Sequence, residues 1–271
     1  MKNDLDFSPK ELRMIILEMA YSGQSAHIAC AFSIVEILST LYRYYLNYPN
    51  NDPESKERDY LILSKGHGVM CQYACMNKLG WISSHQIKNY FADGSELKGL
   101  SDSRVKGLEV TSGSLGHGLS VGVGLSLGAK INKSNQKTFV IIGDGELNEG
   151  SIWEGLLFAS HHNLNNLLVI VDNNKFQAMG TIDEVLTLRD IKKKFISFGF
   201  DVLSVNGHDT EELKNGIDNL INIPGTKPKA IIADTIKGKG VDFMEANNEW
   251  HYKRLNKTTY SKAKLFLESS Q

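Results

Sequence analysis

Two apolar runs that end in polar turns constrain the fold of this chain most. Thr138-Phe-Val-Ile-Ile142 is β-branched and aromatic and stops at Gly143-Asp144-Gly145. Leu167-Leu-Val-Ile-Val171 stops just before Asn173-Asn174. Runs this apolar, with no alternation, read as strands buried on both faces, as in parallel sheets. Between them, Asn148 to Leu164 has a helical pattern, with Ile152, Trp153, Leu156 and Leu157 as its expected apolar face. Such a strand–helix–strand unit sets Asp144 and the Asn pair side by side at the carboxyl edge of a sheet, where open α/β folds bind ligands. A carboxylate, an amide oxygen and a backbone carbonyl suit one hard divalent cation. They leave coordination positions for the oxygens of a phosphorylated ligand, as Mg²⁺ requires. Glycines flanking Asp144 let backbone N–H groups approach diphosphate oxygens.

The remaining segments repeat the alternation. Asp59 to Leu63 reads as a short strand running into Ser64-Lys65-Gly66-His67-Gly68, and further strands are expected near Phe200–Val205 and Ala230–Asp234. Helices are expected after Ser8-Pro9-Lys10-Glu11, a capping box with Pro at the first helical position, and after Asp209 with Glu212. The first helix buries Leu12, Ile15, Ile16 and Met19, breaks at Gly23, and the pattern resumes over Ser33–Tyr45. Asn50-Asn51-Asp52-Pro53 marks a surface turn. Lys98 to Gly118, rich in Gly and Ser, reads as a functional loop. Leu119 to Ala129 returns to helix, with Gly118, Gly122 and Ala129 as small packing positions. The expected fold is a doubly wound parallel α/β sheet with helices on both faces, in one domain over residues 1–271.

Composition excludes several classes. Lys+Arg of 30 against Asp+Glu of 31 gives a formal net charge of −1, with no basic excess for nucleic acid. No apolar stretch is long enough to span a membrane, and the charged MKNDLDFSPK start does not read as a signal peptide. Cys30, Cys71 and Cys75 show no paired metal spacing and read as buried thiols of a cytoplasmic protein.

The motifs GDGELNEG and VDNNKF, with LSKGHG and TSGSLGHG upstream, resemble the thiamine diphosphate site of transketolases. The resemblance runs in the family's order from Ser22-Gly23 through Thr235–Gly240 (TIKGKG) to Glu249-Trp250-His251. It implies that Asp144, Asn174 and the Phe176 carbonyl hold Mg²⁺ (or Ca²⁺ or Mn²⁺), and that the Gly143 and Gly145 turn with Glu146 meets the diphosphate. Gly113, Ser114 and Leu115 match the segment that contacts the aminopyrimidine ring. Glu149 matches a glutamate linking paired cofactor sites across a dimer. His27, His67 and His251 match active-site histidines, the last two beside the cofactor, which orient sugar hydroxyls and move protons near neutral pH. His161, His162 and His208 are expected to be structural or exposed. Lys65, Lys237 and Lys239 are open to two readings, phosphate contact or solvated charge.

Two positions depart from the family pattern. His117 stands where relatives carry Gln. Leu100 follows Gly99 where relatives have the His of Gly-His-Pro, a donor to sugar hydroxyls. The resemblance implies transfer of a two-carbon ketol unit from a ketose phosphate to an aldose through the cofactor's carbanion and enamine chemistry. Leu100 keeps a different donor open, a pyruvate-like acid or a deoxy or branched sugar. A non-catalytic cofactor-binding subunit is the remaining alternative, which the intact Asp144 and Asn174 disfavour. No stretch resembles the family's pyrimidine domain, whose glutamate activates the cofactor. The chain is therefore expected to be the amino-terminal subunit of a split transketolase. It would self-associate and pair with a separate carboxy-terminal subunit in an α₂β₂ assembly.

Overall fold

The computed structural model describes residues 8–269; the charged start before Ser8 and the last two residues lie outside it. Five strands form one sheet: β1 (Tyr60–Leu63), β2 (Thr138–Gly143), β3 (Leu167–Asn173), β4 (Asp201–Asn206) and β5 (Lys229–Asp234). Their order is β1-β2-β3-β5-β4, and every pairing is parallel. Parallel neighbours require crossovers, and helices supply them. Before the sheet core come α1 (Pro9–Ser22), α2 (Ile28–Phe32) and α3 (Val35–Thr40). The others are α4 (Val69–Lys78), α5 (Ser84–Lys88), α6 (His117–Ile131), α7 (Gly150–His161), α8 (Ile182–Val185), α9 (Ile191–Ser197), α10 (Thr210–Asn222) and α11 (Lys257–Ser269).

The alternation of side chains along each strand divides the core into two layers. Phe139 and Ile141 of β2, Leu168 and Ile170 of β3, and Ile231 of β5 pack with residues of α1 to α4, α10 and α11. Val140 and Ile142, Val169 and Val171, and Ile232 pack on the other face with Leu119 and Val123 of α6, Ile152 and Leu156 of α7, and Phe195 of α9. Each such aliphatic side chain contributes about 1.5–3 kcal/mol on burial, which is why strands of this composition take the centre of the sheet. The doubly wound fold is thus present as expected.

Several local expectations are refined. Ser8 makes no side-chain cap; its carbonyl accepts the Leu12 N–H at 3.0 Å, and Glu11 pairs with Lys78 at 2.9 Å instead of closing a box. Asp209 does cap α10, accepting the N–H groups of Glu211 and Glu212 at 2.9 and 3.0 Å. The helical stretch after Gly23 is interrupted at Ser33-Ile34, between α2 and α3. On α7, Ile152, Gly155, Leu156 and Ala159 are buried, but Leu157 is 59% exposed. Five residues at 100° each carry Leu157 well round the helix from Ile152, so it cannot share that face. The small positions of α6 are used as expected. A Cβ on Gly122 would come 2.4 Å from Val140 Cγ2, and one on Gly118 2.6 Å from Ser64 Cα. All three cysteines are free and buried. Among the described residues no helix is long and apolar enough to cross a membrane.

Candidate functional site

The register Gly143↔Asp172 brings the ends of β2 and β3 level, and the Asp144 N–H donates to the Asp172 carbonyl at 3.1 Å. Asp144 is 1% exposed. Its Oδ1 accepts the Gly145 N–H at 2.8 Å and its Oδ2 the Lys175 N–H at 2.5 Å. Burial, and next the nearby Asp172 charge, push its pKa up to about 7. A carboxylate held this way gains greatly from a cation. The chain turns sharply after β3, with Lys175 at φ 71°. Asn174 Nδ2 donates to Asp172 Oδ2 at 2.9 Å, which fixes the amide; its Oδ1 accepts the Phe176 N–H at 3.0 Å and retains a second lone pair.

Asp172, to which sequence reading assigned no role, organises this edge. It is fully buried and accepts from Ser33 Oγ at 2.7 Å, from Asn174, and through short contacts from Lys65 Nζ and Thr235 Oγ1. Burial alone would raise its pKa, but the Lys65 charge and these donors hold it below the usual carboxylate range. The only sequence signal was an Asp closing an otherwise apolar strand. Ser33, at the break between α2 and α3, is explained by the same hub. Lys65 and Lys237 are buried side chains, which corrects the solvated reading for both; Lys239 is partly exposed and lies 3.4 Å from Glu245.

Glu146 is also buried. It accepts from Ser64 Oγ, from the Gly116 N–H at 2.7 Å and from the Gly143 N–H at 3.2 Å. It therefore ties the glycine-rich loop to the Asp144 turn. A Cβ on Gly145 would come 2.8 Å from Gln177 Cγ, so this position keeps the two turns close only as glycine.

His27, His67 and His251 form a cluster, with ring centroids 5.3 Å (27–67), 5.1 Å (27–251) and 5.6 Å (67–251) apart. His27 takes a left-handed backbone, φ 68°, and its N–H donates to the His251 carbonyl at 3.0 Å. Burial lowers the pKa of all three, with Lys65 next for His67 and Lys237 next for the other two; His251 falls to about 3. They are neutral imidazoles at physiological pH. Lys237 Nζ and His251 Nδ1 lie 2.9 Å apart; with Lys237 as an ammonium, Nζ donates and the His251 proton sits on Nε2.

The histidines, Asp144, Gly143, Gly145, Glu146, Asn174, Phe176, Gly113 and Leu115 line one cavity of ≈ 320 Å³. Leu100, 41% exposed, lines it too, so the departure from the family pattern lies in the cavity itself. Cys30, Lys65, Gln177, Ala178, Met179, Lys237 and Tyr252 complete the wall. Of these, only the two lysines carried any sequence signal for the site, as candidate phosphate contacts. Ser114 and Glu149 are exposed and do not line the cavity. His117 is exposed; His208 is structural, contacting Glu36 Oε2 at 2.9 Å and accepting the Ile236 N–H at 2.8 Å.

A family model for the transketolase thiamine diphosphate binding domain matches residues 8–267. The chain belongs to that family. One relative is the first of the subunits named for the apulose-4-phosphate transketolase of Phocaeicola vulgatus. The two are 36% identical over 248 residues, covering 92% of this chain and 88% of that protein. The chain is 34% identical over 266 residues to the 6-deoxy-6-sulfo-D-fructose transketolase subunit SqwG of a Clostridium species, covering 98% and 96%. The Campylobacter jejuni transketolase structure superposes with a TM-score of 0.88 at 28% identity, over 99% of this chain. The chain spans only 43% of that longer protein.

The residues of this transketolase-family chain fit a diphosphate-bound cation. Among the described residues no group of three or more His, Cys, Asp or Glu side chains is arranged for a metal. One buried carboxylate, one oriented amide and a backbone carbonyl are instead the sparse oxygen set that Mg²⁺ accepts when ligand phosphates complete its shell.

Proposed function

We propose that the chain is the amino-terminal subunit of a two-component transketolase, acting on a modified ketose phosphate in the cytoplasm. The observation that carries this reading is the convergence of Asp144, Asn174 and three neutral histidines on one cavity. Asp144, Asn174 and the Phe176 carbonyl would hold Mg²⁺ and, through it, the diphosphate of thiamine diphosphate. When bound, that cofactor supplies the carbanion chemistry for moving a two-carbon ketol unit. His27, His67 and His251 are placed to donate to and accept from sugar hydroxyls and to pass a proton between them; His251 offers Nε2–H.

Two observations support the split. The relatives matched over 88% and 96% of their length are called subunits, whereas the chain spans 43% of the C. jejuni transketolase. The carboxy-terminal partner would carry the pyrimidine domain, and α₂β₂ stoichiometry would follow from self-association. Glu149 at the start of α7, with exposed Leu157 and Phe158 on α7 and Val121 on α6, supports a self-association face there.

Leu100 supports a donor lacking the hydroxyl pattern of unmodified ketose phosphates, and the apulose-4-phosphate in one relative's name points the same way. Three free buried thiols accord with a reducing compartment. The test is turnover by the chain, alone and with its reconstituted partner, against unmodified ketose phosphates, modified ketose phosphates and pyruvate. Ketol transfer by the pair, highest with a modified ketose, is expected. Transfer by the chain alone would refute the split, and turnover of pyruvate would refute the donor class.

A further inference from the structure

Tyr252 is left 60% exposed by a turn that buries the two residues before it, Trp250 and His251. It follows the short helical turn Asn248–His251. That turn is fixed from several sides. The Asn247 side chain accepts the Glu249 N–H at 3.1 Å, Asn248 Nδ2 donates to the Ala178 carbonyl at 3.1 Å, and Trp250 packs against Phe243. The Tyr252 N–H itself donates to the Glu249 carbonyl at 3.2 Å. This mount sets the ring against the histidine cluster, its centroid 4.6 Å from that of His251 and 5.7 Å from that of His27. Among the described residues nothing hydrogen-bonds its hydroxyl.

The rest of that wall is apolar for a site that would receive a polyol. Leu100 and Met179 line the same cavity as Tyr252, and Met179 is 83% exposed. Leu100 lies on the Gly113 segment, where a Cβ on the glycine would come 2.8 Å from Leu100 Cδ1, and it offers no hydrogen bond. Tyr252 has what these two lack, a flat apolar face together with one hydroxyl that donates and accepts. A sugar that turned a hydroxyl to Leu100 or Met179 would leave it unpaired, at a steep cost in discrimination. A deoxy or branched carbon skeleton instead presents carbon surface beside the hydroxyls it keeps. We propose that Tyr252 is a specificity-determining residue for the donor: its ring packs on the carbon surface of a deoxy or branched ketose, and its hydroxyl takes the sugar hydroxyl that Leu100 cannot hold. This assignment rests on the ketol-transfer reading given above.

The test uses the chain reconstituted with its partner, as wild type, as Tyr252→Phe, which removes only the hydroxyl, and as Tyr252→Ala. The donors are an unmodified, a deoxy and a branched ketose phosphate. For the better of the two modified donors, Tyr252→Phe is expected to lower kcat/KM about tenfold and Tyr252→Ala about 10²-fold, while the unmodified donor loses less than about tenfold in either. The affinity of the chain for Mg²⁺ with thiamine diphosphate, read by calorimetry, is expected to stay unchanged. Labelling with fluorotyrosine adds a reading that needs no turnover. The ¹⁹F resonance missing from Tyr252→Phe belongs to Tyr252, and in the reconstituted wild type it is expected to move on adding the alditol phosphate made by reducing the preferred donor. Retained kcat/KM in both variants, equal losses on all three donors, or weakened cofactor binding would overturn the assignment alone. So would a resonance that moves on adding the partner chain but not on adding the alditol phosphate, which would place Tyr252 in the subunit interface. Wild type that transfers no ketol unit from any donor would overturn the ketol-transfer reading, and this assignment with it.

Discussion

Replacing Asp172 by Asn tests whether the hub at the sheet edge holds the site together. The carboxylate is fully buried and accepts from Ser33, Asn174, Thr235 and Lys65. An amide removes the charge and turns an N–H₂ toward a set of donors. Lys65 then keeps only neutral acceptors: the amide oxygen, the Cys30 carbonyl at 3.2 Å and Ser33 Oγ at 3.4 Å. Removing one partner of a buried ion pair costs about 3–5 kcal/mol. In a chain of this size about 1 kcal/mol corresponds to roughly 2–4 °C, so the melting temperature should fall by on the order of 10 °C. Urea denaturation of the ligand-free chain near neutral pH gives the energy directly. A double variant with Lys65→Met should recover most of it, because no uncompensated charge remains; the cycle isolates the pair. A loss below about 1 kcal/mol, or strictly additive single effects, would refute the hub.

Further outcomes follow from the same geometry. Because burial and Asp172 hold the Asp144 pKa at about 7, cation binding must expel a proton. Affinity for Mg²⁺ with thiamine diphosphate should therefore rise as pH rises to about 7, by up to about tenfold per unit below it, and level off above. Titrations in buffers of different ionisation enthalpy should show the released proton, and a pH-independent affinity would count against this. Leu100→His should raise kcat/KM for unmodified ketose phosphates by about tenfold or more in the reconstituted enzyme, since it restores a hydroxyl donor; no gain would remove Leu100 as a specificity determinant. Gly122→Ala, whose methyl would meet Val140 Cγ2 at 2.4 Å, should destabilise by about 1–3 kcal/mol in thermal melts without changing cofactor affinity.

The sheet was largely legible because β2 and β3 are uniformly apolar and end in polar turns, a pattern with few other uses. The same pattern placed Asp144 beside Asn174. What escaped was tertiary. Asp172 looks like the last residue of a strand, and nothing local shows that donors from residues 33, 65 and 235 converge on it. In the sequence Lys65 and Lys237 leave phosphate contact and solvated charge both open, because Asp172 and Gln177, which hold them, lie far along the chain. Leu157 was assigned to the buried face of α7 by hydrophobicity, but helical phase sends it outward. The Ser8 box had the right residues, yet Glu11 found Lys78 across the helix pair. Local patterns state what a residue can do; competition among distant partners decides what it does.

The central claim is that Asp144 and Asn174 anchor the cofactor's diphosphate through a divalent cation. Calorimetric titration of wild type and Asp144→Ala with thiamine diphosphate and Mg²⁺ tests it most directly. Saturable heat in wild type that requires Mg²⁺ and is lost in Asp144→Ala, with the variant still folded by its melt, is the expected result. Equal heats from the two proteins would contradict it.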